Sequence, residues 1–349
     1  MARPFIFLIA LILLLNAALR AAETAIKPKV VVIAMFEPGN DTGDTPGEFQ
    51  LWVEREKLDT VYPLPSAYHD VRANADGSVI GIVTGVGVTR AAATIMALGS
   101  DPRFDLRQSY WLVAGIAGID PADGSLGSAA WAEWLVDGAI NHQIDPREMP
   151  KDWTTGYVPL EKTRPYEQPR SAASEAAVFH LDPGLVNWAF ALTKDLPLDD
   201  TTALRERRAS YVGFPNAQRP PFVLKGDNLT TTSFWHGQLL NAWANAWTSY
   251  YTDGRGHYVT TAMEDTGTAQ ALAWLARAGK VDSRRLLVLR TASNFDMQPP
   301  GGTAEESLFG KKLSAYIPSL EAAHRVGSVV VHELVANWAR YEKELPQAK

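Results

Sequence analysis

The chain has 349 residues, of which 46% are hydrophobic and 11 are tryptophan, and it carries a formal net charge of −6. That is enough apolar material for one large domain, or for one domain with a sizeable insertion. Acids and bases are interspersed without a basic stripe, which argues against nucleic acid as a partner, and the absence of cysteine excludes disulfides, thiol nucleophiles, thiolate metal sites and iron–sulfur clusters.

The N-terminus reads MARPFIFLIALILLLNAALRAAETA. Arg3, an apolar run over 5–15 and small residues over 17–25 make the pattern of a secretory signal peptide. The signal is placed at 1–22, with cleavage between 18 and 25; an uncleaved anchor is the alternative. The expected product is an exported protein, periplasmic or secreted. No later apolar run has the length of a membrane span.

Apolar runs at 30–35, 79–84, 110–114, 133–136, 257–262 and 286–290 read as strands. Several are rich in Val, Ile and Leu without alternation, as in strands buried on both faces. Helical patterns lie at 89–98 and 265–278, and in a long C-terminal stretch, 304–344, that Pro318 should break or kink. This alternation predicts an α/β fold. From 139 to 227 the texture changes. DWTTGYVPLEKTRPYEQPR reads as an elaborate loop, and a helix follows with Asp182 as cap and Pro183 in its first turn. The segment is taken as a loop-rich insertion in a single domain spanning 26–349.

GIVTGVGVTRAAATIMAL, 81–98, is a strand, a Gly-x-Gly turn and a small-residue helix. Gly85 and Gly87 let backbone N–H groups approach a ligand at a helix N-terminus, and Arg90 adds a cation; a tight strand-to-helix turn explains the glycines equally well. Gly115 and Gly118 keep bulky groups from the C-terminal end of the next strand, where open α/β sheets bind ligands. TTAMEDTGTAQAL, 260–272, puts Met263, Glu264 and Asp265 where an apolar strand meets a helix, so the acids either cap the helix or face a ligand.

In KGDNLTTTSFWHG, 225–237, Phe234 and Trp235 beside hydroxyls suit a flat ligand; a capped helix start with at least one aromatic in the core is the alternative. LLVLRTASNFDMQPPGG, 286–302, ends in Ser293, Asn294 and Asp296. The donor and acceptor of Asn match the edge of a base, and an Asx-turn is the plainer reading. His142 and His236 lie near these loops. There is no HExxH or other metal-ligand spacing, no Gly-x-Ser-x-Gly elbow and no Walker motif. Metal hydrolases, serine hydrolases and P-loop enzymes are disfavoured, and no metal is expected.

Taken in order, VIAMFEPG, TGVGVTRAA, LVAGIAGIDP, TTAMEDTGTAQA and RTASNFD resemble the nucleoside phosphorylase superfamily. AMFEPGNDTGDTPGE, GDNLTTTSFWHG and AMEDTGT make the chain most similar to its purine nucleoside permease family. The resemblance implies a nucleoside-phosphorylase-like mixed sheet surrounded by helices. It implies that Met263 lies against a ribose, that Glu264 accepts from the 2′- and 3′-hydroxyls, and that Asp265 favours the helix N-terminus. Ser293 and Asn294 would read the purine edge, with Phe234 or Trp235 stacked on the base. Gly85, Gly87 and Arg90 would line the ribose 5′ side or an anion, and Gly115 opens the Gly-rich turn of the third strand.

Two departures bear on activity. Asn294 stands where nucleosidases carry a proton-donating Asp. Gly115-Ile116-Ala117-Gly118 lacks the Ser that phosphorylases often use for phosphate. If the glycosidic bond is cleaved, Glu37, Asp227 and Asp296 are the catalytic candidates; phosphate enters only as a phosphorylase co-substrate, and no other cofactor is expected. The expected function is purine nucleoside binding and uptake, with a membrane transport partner and a homo-oligomer as further expectations. The alternative is a periplasmic purine nucleoside hydrolase or phosphorylase, and a storage or structural reuse of the fold ranks last.

Overall fold

The computed structural model describes residues 25–170, 177–310 and 315–348. The signal-peptide segment, 1–22, lies outside the described residues.

The strands are β1 (Val30–Ala34), β2 (Thr60–Tyr62), β3 (Val71–Ala73), β4 (Val79–Val83), β5 (Tyr110–Ile119), β6 (Ala129–Ala132), β7 (Trp134–Asp137), β8 (Asn141–Gln143), β9 (Tyr157–Pro159), β10 (Val178–His180), β11 (Val223–Lys225), β12 (Asp227–Thr230), β13 (Tyr258–Ala262) and β14 (Leu286–Phe295). All but β8 and β9 join one mixed sheet, ordered β10-β7-β12-β13-β5-β1-β4-β3-β2, with β14 on β5 and β6, and β11 on β6. Every residue of β1 and of β4 is buried, as expected of strands covered on both faces. The fold is thus α/β, a large mixed sheet surrounded by helices.

The pairing of β5 leaves a gap on one edge. Along one edge its first residues, 110–113, run parallel to β1. Further along, Gly118 and Ile119 pair antiparallel with Thr261 and Thr260 of β13. Because β1 and β13 run in opposite directions, their C-terminal ends approach each other beside Gly115–Ala117. No strand among the described residues pairs with that stretch on this edge. The opposite edge is closed by β14, parallel to β5 from Leu286 to Phe295, with a register shift between Ala292 and Asn294.

Several elements differ from expectation. Among the described residues of 304–344 there are three helices, Ala304–Phe309, Tyr316–Ala336 and Trp338–Tyr341. Pro318 stands in the first turn of the second, where its missing N–H costs no helical bond, so it begins a helix and kinks none. β14 continues past Arg290, which puts Ser293 and Asn294 on the strand and not in an Asx-turn after it. The segment 139–227 is loop-rich at first and then built into the body. β10 pairs with β7 and β11 with β6. The helix Pro183–Thr193, capped by Asp182 accepting from Leu185 N, sends Leu185, Val186 and Trp188 into the main core.

Candidate functional site

Four charged side chains converge at the gap beside β5, and all are buried. Glu264 follows β13 and precedes the helix Asp265–Arg277. Its Oε1 accepts from Gly87 N at 3.3 Å, and its Oε2 accepts from Arg290 Nη2 at 2.9 Å and from Met263 N at 3.2 Å. Arg290, on β14, also donates through Nε to both oxygens of Asp265 at 3.1 Å, through Nη2 to Asp265 again, and through Nη1 to Ile116 O at 3.0 Å. Glu48, just before the helix Gln50–Arg55, accepts from Met35 N at 2.7 Å and from Ile116 N at 2.6 Å. It therefore bridges the ends of β1 and β5.

Two glycines make this convergence possible. A Cβ on Gly115 would lie 1.9 Å from Met35 Cε and 2.5 Å from Glu48 Oε1, so only hydrogen leaves room for the carboxyl. A Cβ on Gly267 would lie 2.3 Å from Val88 O. That close approach sets the helix Val88–Ser100 against the helix Asp265–Arg277 and brings Gly87 N to Glu264.

Burial dominates the electrostatics. It pushes the Glu264 carboxyl up, against the pull of Arg290. It pushes Glu48 up to about 8, with Arg290 lowering it and Glu264 raising it further. For Arg290, burial alone would favour the neutral form, but Asp265 and Glu264 outweigh it and hold the guanidinium charged.

The other expected site residues divide. Gly118 brings the two grips together: its Cβ would meet Thr261 Cγ2 at 3.0 Å on one side and Asn294 Nδ2 at 3.2 Å on the other. Ser293 and Asn294 are half-buried, and Ser293 Oγ donates to Ala117 O at 3.2 Å. They line a small pocket with Leu126, Arg207, His236 and Phe295. His142 is exposed on β8. Phe234 is 56% exposed, whereas Trp235 is buried against Trp243 and Tyr258. Trp235 is therefore a core residue, and Phe234 is the exposed member of the pair. The Gly87 N–H is taken by Glu264, so it is not offered to an anion. Arg90 is exposed, with Nη1 donating to Val86 O at 3.3 Å and its guanidinium 6.0 Å from the Tyr68 ring, folded over the Gly85 turn.

None of the three catalytic candidates bonds to this cluster of charged side chains. Glu37 accepts from the backbone N–H groups of Gly47, Phe49 and Gln50 and so caps the helix Gln50–Arg55. Asp227 accepts from Glu133 N, Trp134 N and His257 N at the ends of β12 and β13 remote from Glu264. Asp296 is wholly buried, taking hydrogen bonds from Tyr258 Oη at 2.5 Å and Asn241 Nδ2 at 3.1 Å; burial and nearby Asp120 push it well up.

Glu48 and Arg290 were absent from the expected site. Arg290 had a signal, since a charged residue inside the apolar run LLVLRTA is almost never buried without a partner. Glu48 had only its place before the apolar helix QLWVER.

Comparison with known proteins now decides the family. Residues 27–346 match the profile described as Purine nucleoside permease (NUP). The chain belongs to the purine nucleoside permease family. Within it, the chain is 29% identical to a probable purine nucleoside permease of Schizosaccharomyces pombe, over 93% of this chain and 94% of the relative. It is 30% identical to a purine nucleoside permease of Candida albicans, over 91% of this chain and 77% of that one. Among solved structures it resembles futalosine hydrolase of Helicobacter pylori (TM-score 0.52, 14% identity, 88% of this chain and 98% of that one). It also resembles the 5′-methylthioadenosine/S-adenosylhomocysteine nucleosidase of the same organism (TM-score 0.52, 13% identity, 89% and 100%). These likenesses place the permease-family chain in the nucleoside-phosphorylase-like fold.

Proposed function

We propose that the chain binds purine nucleosides and serves their uptake. The observation that carries this reading is the buried Glu264, held by Gly87 N–H and Arg290, with Asn294 standing across Gly118 from Thr261 of the strand that leads to it. A carboxylate fixed by Gly87 N–H and Arg290 suits two neighbouring hydroxyls, and charge-assisted bonds of this kind are strong. Asn294 carries the paired donor and acceptor that a purine edge needs; a base would take them over from Ser293 Oγ, which donates to Asn294 Oδ1 at 3.1 Å, and from Phe295 O, which accepts from Asn294 Nδ2 at 3.0 Å. Relatives named as purine nucleoside permeases support the same ligand class. Uptake in this reading is capture by an exported protein and delivery to a membrane partner. No helix among the described residues is long and apolar enough to cross a membrane.

Cleavage of the N-glycosidic bond is the second reading, favoured by one observation: Glu48 stands next to Glu264 in the same cluster and, as a carboxylate, would accept a proton from water. A phosphorylase is less well supported, because the Gly115–Gly118 stretch, which lies within β5, has no hydroxyl and the Gly87 N–H is engaged. The test mixes the mature protein with adenosine, guanosine and inosine, with and without phosphate, and follows binding by calorimetry and free base by chromatography. Saturable binding with nucleoside recovered intact at pH 7 supports capture. Base released without phosphate supports hydrolysis, and base released only with phosphate supports phosphorolysis.

A further inference from the structure

Two buried carboxyl groups, Glu264 and Asp265, pair with the Arg290 guanidinium, and a third, Glu48, lies within its influence without bonding to it. Asp265 holds Arg290 through both oxygens, and in the orientation that satisfies its amide Asn228 adds a donor to Asp265 Oδ2 at 3.1 Å. Glu264 has one bond from Arg290 and two from backbone N–H groups. Glu48 has two backbone donors and, among the described residues, no ion pair. A buried carboxyl without a counter-ion is the one that takes up a proton.

We propose that Asp265 is a positioning residue: by taking Arg290 through both oxygens it holds the guanidinium off Glu48, so that Glu48 carries a proton and the pocket holds a nucleoside without cleaving it. What the pocket holds rests on the function proposed above. The charged groups that bear on Glu48 are Arg290 from β14, which lowers it, and Glu264 from the β13 junction, which raises it; Glu37 and Glu48 in turn add to the upward push that burial gives the Tyr316 hydroxyl. Hydrolysis needs a base. Water oxygen bonds to C1′, its proton passes to a carboxylate, and the C1′–N9 pair leaves with the purine, which takes up a proton. A Glu48 that already carries a proton cannot accept that one. The elevated position of Glu48, about 8, agrees with the geometry.

The experiment titrates the mature protein, labelled with ¹³C at the Glu side-chain carboxyl, without ligand; Glu48→Gln assigns the Glu48 signal. Wild type should show a Glu48 midpoint near 8. Asp265→Asn, which keeps shape and removes charge, should lower that midpoint by about one pH unit or more and move the onset of purine release from adenosine down by a similar interval. A wild-type midpoint in the ordinary carboxylate range, or an unmoved midpoint in folded Asp265→Asn, overturns the proposal. So does full purine release by wild type at pH 6. Should Asp265→Asn not fold, the wild-type titration decides. A wild type that binds no nucleoside in calorimetry overturns the proposed function, while the ligand-free midpoint separately upholds or overturns the role of Asp265.

Discussion

Asp265 and Arg290 meet through both carboxylate oxygens and two guanidinium nitrogens, with the side chains 0% and 1% exposed. This pair orients Glu264, because the same Nη2 that reaches Asp265 also donates to Glu264. Removing one member of a buried ion pair leaves the other uncompensated, at about 3–5 kcal/mol. Arg290→Met should therefore lose about that much stability in urea denaturation; a loss below about 1 kcal/mol would show that the guanidinium is not the hub described.

The Glu48 carboxyl makes stability depend on pH with a defined sign. Its folded value, about 8, lies above the unfolded value of about 4.3. The folded state binds this proton more tightly, so the contribution is complete below the unfolded value and is lost as pH rises through the folded one. Between about pH 5 and 8 wild type should lose stability relative to Glu48→Gln. Parallel curves for the two proteins would contradict the assignment.

Gly267 sets the spacing of the two helices that meet at Glu264, the residue proposed to hold the ribose. Its Cβ would press on the Val88 carbonyl, which is backbone and cannot rotate away. Gly267→Ala should cost about 1–3 kcal/mol of stability. It should also weaken nucleoside binding, because Gly87 N is carried away from Glu264. Unchanged melting and affinity would mean the helices yield without cost.

The adjacent aromatics should separate by readout. Trp235→Ala empties a core site and should destabilise by about 3–5 kcal/mol. Phe234→Ala should change stability by less than about 0.5 kcal/mol and lower affinity for the nucleoside. Equal affinity for wild type and Phe234→Ala would remove Phe234 from the base site.

The sheet was legible because β1, β4 and the first halves of β5 and β14 are unbroken apolar runs, and the turn glycines mark where they stop. Glu264 and Asn294 were singled out by the motifs around them; the structure adds that Glu264 is buried on Arg290 and that Asn294 lies on β14. Glu37 was misplaced because capping and ligand contact ask the same thing of a carboxylate; only the position of the Gln50–Arg55 helix tells them apart. Glu48 was hidden because its neighbours, Met35 and Ile116, come from strands far apart in sequence. Pro318 was read as a break inside 304–344 because proline marks helix starts and helix breaks alike; only its place in the first turn of Tyr316–Ala336 tells them apart.

Calorimetric titration of wild type and Glu264→Ala with adenosine, guanosine and inosine at pH 7 tests the central claim most directly. Two charge-assisted hydrogen bonds to the ribose predict one-site binding by wild type, weakened by about 2–4 kcal/mol in the variant. Absence of binding by wild type, or a difference below about 0.5 kcal/mol between the two, would contradict the account.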